Sequence, residues 1–230
     1  MSKWLALSLA LIALILSSCG SNLKKDPQLP NQQERVVAEE EFIPAQTALN
    51  PAEYIAWMRH SQNKLSVNFI QGDIAYSFQY TPIDLVTLRH LGELPVSLGS
   101  FESERSSLDG FQYFTLTIAT NSSRDIISYH TSLEKDKEVR SKYYSYDMQH
   151  DLKLLDGKDT LRCLMFHHEM TYGISPYTNF LLGFELRDGS DNADTKDKIL
   201  IFKNRMDGTE PIMLTIRATA LNQIPKLIIK

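Results

Sequence analysis

The strongest constraint on this chain's fold is a period of two in its apolar residues, which returns in several separate segments. Ile74, Tyr76, Phe78 and Tyr80 interleave with Ala75, Ser77 and Gln79, and Phe114, Leu116 and Ile118 interleave with Thr115 and Thr117. The same alternation recurs in Phe180, Leu182, Phe184 and Leu186, and in Ile212, Leu214, Ile216 and Ala218. Successive side chains of an extended chain point to opposite sides, so each segment reads as a strand with one buried face. Residues 197 to 203, DKILIFK, add a further strand. Residues 160 to 170, TLRCLMFHHEM, are apolar at both phases and predict a central strand covered on two sides. No regular alternation of strands with long helices occurs, which disfavours a parallel α/β sheet. The expected fold is mainly β: an antiparallel sheet or sandwich of about six to eight strands with one or two short flanking helices.

Two helices are legible. Asn50 can cap free amides and Pro51 costs nothing at the first helical position, so PAEYIAWMRHSQNKL should start there. Its Tyr54, Trp57, Met58 and Leu65 fall near one face. A second helix begins near Thr81-Pro82 and stops at Gly92, with Leu85, Leu88 and Leu91 on its apolar side. Between Ser132 and Leu155 the pattern is ambiguous: a charged run, EKDKEVRSK, precedes YYSYDMQHDLKLLDG.

The first eighteen residues are built differently. Lys3 precedes an apolar run from Leu5 to Leu16, followed by Ser17 and Ser18. As a helix that run rises only about 18 Å against a hydrocarbon core of roughly 30 Å, too short for a lasting span. It has the layout of an export signal. Leu16-Ser17-Ser18-Cys19 resembles the lipobox of bacterial lipoproteins. That resemblance covers about the first twenty residues, and it implies removal of 1–18 as a signal peptide and lipid attachment at Cys19. Two or more acyl chains anchor a protein stably where one does so only marginally. Gly20 stands where enterobacterial lipoproteins retained at the inner membrane carry Asp, so the resemblance implies the outer membrane, on its periplasmic face or at the cell surface. Lys24, Lys25 and Asp26 are similar to the charged export tags of surface lipoproteins in Bacteroidetes-type bacteria, and the chain as a whole resembles lipoproteins of that group. The likeness implies no activity.

Residues 19–49 then read as a lipidated cysteine and a flexible tether rich in Lys, Asp, Gln, Glu, Asn and Pro. About thirty such residues have a root-mean-square span of roughly 30 Å. Val36-Val37 and Phe42-Ile43 could shorten that reach by docking on the domain. Residues 50–230 are expected to form a single β-rich domain. With Cys19 acylated, Cys163 has no intramolecular disulfide partner, so a core must supply stability. The formal charge is −4 with 24 Lys and Arg against 28 Asp and Glu, and no basic cluster suggests a phosphate-binding face, which argues against nucleic acid as a partner.

Phe166-His167-His168-Glu169 is the most site-like stretch. On a strand His167 and His168 point to opposite faces, and only His167 shares a face with Glu169. A zinc site needs three or four converging ligands. The rest would come from positions such as His130 or His150, which the sequence does not place. Cys163 and His167 lie about 13 Å apart along a strand, too far for a thiol–imidazole pair. The loop from Asp188 to Asp194 offers oxygen ligands, but Ala193 stands where a calcium loop needs Gly and Ile199 where it needs the closing Glu. Tyr143, Tyr144, Tyr146, Tyr172 and Tyr177 could form a stacking or interaction surface. Asp159-Thr160-Leu161 is similar to the short O-glycosylation motif of exported Bacteroidetes-type proteins. Catalytic residues, metal ligands and cofactors are therefore expected to be none. The expected function is a lipid-anchored envelope protein that binds another envelope component, with a protein partner in the envelope. A glycan or small-ligand binding lipoprotein is the second reading and a hydrolase or metal-dependent enzyme the third.

Overall fold

A computed structural model describes residues 48–129, 131, 133–170, 175–186, 196–207 and 210–230. The first half of the domain runs β1 (Ala48–Leu49), α1 (Pro51–Arg59), a 3-10 helix (Ser61–Asn63), β2 (Ser66–Gln71), β3 (Ile74–Thr81), α2 (Ile83–Leu91), α3 (Leu98–Ser107) and β4 (Phe111–Thr120). The second half runs α4 (Glu134–Ser145), a 3-10 helix (Asp147–Asp151), β5 (Leu152–Asp156), β6 (Asp159–Glu169), β7 (Tyr177–Glu185), β8 (Lys198–Phe202), β9 (Ile212–Ile216), α5 (Ala218–Leu221) and β10 (Lys226–Leu227).

Eight strands form one antiparallel sheet in the order β2-β3-β4-β7-β6-β5-β8-β9. Its end strands β2 and β9 come close without hydrogen-bonding, so the sheet curls into a nearly closed barrel. A separate two-stranded parallel pair joins β1 to β10. The mainly β, antiparallel architecture with flanking helices is the one the alternation predicts.

Each alternating segment places its larger apolar members inside. Tyr76, Phe78, Phe114, Phe180, Phe184 and Phe202 are all essentially inaccessible. The rings interlock: Phe78 stacks on Phe114 at 4.7 Å, and Phe184 meets Phe114 edge-on at 5.8 Å. An aromatic filling of this kind makes the barrel a packed core.

Strand β6 corrects one expectation. It does lie between β7 and β5, but it is covered on one side only, with Leu164 53% exposed. Its double-phase apolar pattern comes from a register shift between Cys163 and Met165. Before the shift Leu161 and Cys163 face inward; after it Phe166 and His168 do. A bulge of one residue exchanges the inner and outer sets, and a sequence read with constant period mistakes that for two-sided burial.

Helix α1 starts as expected: Asn50 Oδ1 accepts from the amides of Ala52 and Glu53, and Glu53 Oε2 accepts from the Asn50 amide. The helix ends at Arg59, short of Leu65. Asn63 Nδ2 donates to the carbonyls of Trp57 and Met58 while its Oδ1 accepts from the Leu65 amide, satisfying helix-end carbonyls that a further turn would have used. Gly92 closes α2 at φ 72°, a left-handed conformation that suits glycine. Helices α3, α4 and the short α5 are beyond the two that the sequence shows, and α5 takes Ala218, which the alternation had assigned to a strand. Phe101 is the buried residue of α3, which is held to α2 by Arg105–Asp84 at 2.9 Å and His90–Glu104 at 3.0 Å. Helix α4 is polar apart from an exposed Val139, and at its end Tyr143 and Tyr144 enter the core.

Candidate functional site

The site-like stretch of β6 is divided between the two sides of the sheet. His167 and Glu169 point outward and are exposed. Asn179 Nδ2 donates to Glu169 Oε2 at 2.9 Å and Thr117 Oγ1 donates to Asn179 Oδ1 at 2.8 Å, so Glu169 ends a polar ladder across β4, β7 and β6. His168 points inward, stacks on Phe180 at 5.0 Å and has Nδ1 3.1 Å from Ser145 Oγ. His150 is exposed on the second 3-10 helix, and His130 lies outside the described residues. Among the described residues no three His, Cys, Asp or Glu side chains are grouped to hold a metal ion.

Cys163 is buried and donates to the Met165 carbonyl within the bulge. Burial pushes its thiol up to about 12, so the thiolate needed for nucleophilic attack is scarce at neutral pH. Tyr143 and Tyr144 are buried, Tyr177 is half-buried and Tyr146 is 68% exposed, which makes Tyr146 the open ring among the described residues of that group. Thr160 faces solvent at the start of β6. The acidic loop Asp188–Asp194 and Tyr172 lie outside the described residues.

The Ser145–His168 contact is the arrangement most able to do chemistry. A serine hydroxyl beside an imidazole is the start of a nucleophile–base pair, but the base must also be oriented by a third group. Burial lowers the His168 pKa, more than the negative charge of Asp125 raises it, so the ring is held neutral. Among the described residues Nε2 has no hydrogen-bond partner, and the ring is clamped against Phe180. The pair therefore acts as a polar plug in the barrel end: Ser145 satisfies one nitrogen of a buried ring.

Beside it lies a network with little signature in the sequence. Arg140 donates from Nε and Nη2 to the Ile126 carbonyl at 3.0 and 2.7 Å, and its Nη1 pairs with Asp207 Oδ1 at 3.1 Å. The Tyr144 hydroxyl donates to Asp207 Oδ2 at 3.0 Å, and Asn204 Nδ2 donates to the same oxygen at 2.6 Å. Arg140 also lies 5.5 Å from the Tyr144 ring centroid. Burial, then the charge of Asp207, holds the Tyr144 phenol far above its ordinary range. Next to this, Asp151 Oδ2 accepts from the Tyr143 hydroxyl at 2.8 Å and from Arg205 Nε at 2.6 Å. These carboxylates are occupied by arginines and the phenols stay protonated, so the network ties α4 and the β8–β9 connection to the barrel. The YY pair of α4 was visible in the sequence, but apart from Asp151, eight residues on, its partners Asn204, Arg205 and Asp207 sit roughly sixty residues away in chain order, beyond any local pattern.

The opposite barrel end holds a buried ion pair. Lys198 Nζ sits 2.8 Å from Asp156 Oδ1, off the line for a hydrogen bond, and Gln112 Nε2 donates to Asp156 Oδ2 at 3.0 Å. Lys198 is fully buried, and Gln112 Oε1 is buried without a donor among the described residues. Alternation along β8 forces Lys198 inward with Leu200 and Phe202.

No protein-family model matches the chain, and no curated protein is significantly similar to it. Among solved structures, a protein described as a novel protein of unknown function from Burkholderia pseudomallei K96243 is similar at a TM-score of 0.33 and 11% identity, covering 75% of this chain and 86% of that one.

Proposed function

We propose that the chain is a lipid-anchored envelope protein whose β-rich domain works by binding another envelope component rather than by catalysis. The anchor reading rests on Leu16-Ser17-Ser18-Cys19 after the apolar run, with attachment through Cys19 and an outer-membrane address. The observation that carries the binding reading is the filled barrel. Tyr76, Phe78, Phe114 and Phe180 occupy the space in which a ligand-binding barrel would hold its ligand, so the working surface is the exterior. Val139 of helix α4 is exposed to solvent, as are Leu133 at its start and Tyr146 just past its end. Exposed apolar residues rimmed by charge suit a protein partner.

Mild crosslinking of membranes followed by purification of the chain tests this reading. Recovery of a defined envelope protein, lost on Val139→Asp with Tyr146→Asp, is the expected result. Recovery of the chain alone, under conditions that keep other envelope complexes intact, overturns it. Mass spectrometry of the Cys19 peptide tests the anchor: acyl chains on sulfur and amine are expected, and a free thiol on an uncut chain refutes it.

A further inference from the structure

Where β6 runs beside β5, the outer face of β6, β5, β8 and β9 carries a charge pattern opposite in sign to the chain as a whole. Two rows run across it in register. One is Arg162, Lys153, Ile201 and Met213; the other is Thr160, Leu155, Ile199 and Thr215. Lys153 stands directly opposite Arg162, both exposed, and no carboxylate occupies either row. Like charges facing each other across strands destabilise a sheet. Lys203 extends the same outward phase just past β8 and is also exposed. None of these three cations has an ion pair among the described residues, whereas Arg217, beyond the second row, is bound to Asp197 at 2.7 Å.

Aliphatic side chains are interleaved with the cations. Met213 is 59% exposed, and Ile199, Ile201 and Leu155 are half-buried at outward positions. The helices pack elsewhere: α1 on α2, α2 on α3 and β4, and α4 at the end of β6. A face that opposes Lys153 to Arg162 is relieved by an anion, and one that adds Met213 and Ile201 also gains by meeting apolar matter. An anionic phospholipid surface supplies both within a few ångströms of depth.

We infer that this four-strand face docks on an anionic phospholipid surface, laying the barrel against the bilayer to which the chain is attached. The inference rests on the membrane-attached reading above and adds an orientation to it: the tether is then slack, and α4 is left to other partners.

The test uses the full chain on vesicles of phosphatidylcholine, with and without about a third phosphatidylglycerol. An environment-sensitive fluorophore is placed on Met213→Cys, or on Glu102→Cys of α3 as a control, in a Cys19→Ser background for labelling. The Met213→Cys label should shift to the blue and be quenched by lipid-borne quenchers in the anionic vesicles alone, while the Glu102→Cys label stays aqueous. Each neutralised cation should weaken docking about fivefold, so Lys153→Gln, Arg162→Gln and Lys203→Gln together should weaken it roughly 100-fold, with unchanged circular dichroism. A Met213→Cys label that stays aqueous on anionic vesicles, that survives the triple neutralisation, or that is shielded only when envelope proteins are added overturns the inference. Flotation of the acylated chain on phosphatidylcholine at high salt reads the anchor separately. A chain that floats there while its face stays aqueous keeps the anchor and loses the docking; one that docks but does not float does the reverse.

Discussion

Replacing Asp156 with alanine should strand a charge inside the barrel. The Lys198 side chain is 1% exposed and that of Asp156 is 16% exposed, so the lysine depends more completely on its partner. At 2.8 Å the gross attraction is about 6 kcal/mol for an effective dielectric near 20. Removing one member of a buried pair costs about 3–5 kcal/mol, and Asp156→Ala should fall in that range. Lys198→Met should cost less, about 1–3 kcal/mol, because Asp156 keeps the Gln112 hydrogen bond and some water. Urea unfolding with the midpoint and slope both fitted gives the ordering directly. For a chain of this size the Asp156→Ala melting temperature should drop by about 6 °C or more. Joining Lys198→Met to Asp156→Leu should recover part of the loss, leaving the cost of an unpaired Gln112 amide. If Asp156→Ala costs under about 1 kcal/mol, or if Lys198→Met is the more damaging change, then the ammonium reaches water and the burial argument fails.

Two further outcomes follow from other buried groups. Burial holds the His168 pKa below its ordinary 6.5, so the unfolded chain takes up its proton first as pH falls. Stability should therefore drop from about pH 6.5 downward through the lowered folded value, and urea midpoints at about pH 7.5 and about pH 5.5 should converge in His168→Gln. An unchanged gap between those midpoints would place the imidazole in contact with water. Cys163, with its thiol pushed to about 12, should resist a thiol reagent in the native Cys19→Ser chain and react once urea unfolds it. Fast native labelling would show that the bulge in β6 opens.

Much of the barrel was legible because its strands are half-buried and keep a constant phase. Ile74 to Tyr80, Phe114 to Ile118 and Ile212 to Ile216 each report one face to the core, and local periodicity is enough to show it. The start of α1 and the end of α2 were equally local, since caps are made within a few residues of each other. Strand β2 was not seen because its edge position leaves Phe69 and Ile70 exposed and breaks the contrast between faces. Strand β5 was not seen because it follows directly on the charged helix α4 and its 3-10 extension.

The amino-acid order alone determined the alternation, the caps and the lipobox-like LSSC. Tertiary structure decided which polar residues meet. Arg140 finds Asp207, Tyr143 finds Asp151, Lys198 finds Asp156, and Lys153 is set against Arg162. Tyr143 and Lys153 meet partners within ten residues, through the 3-10 turn after α4 and the β5–β6 hairpin, whereas Arg140–Asp207 and Lys198–Asp156 are joined only by the packing of the whole core, which no local window of sequence contains.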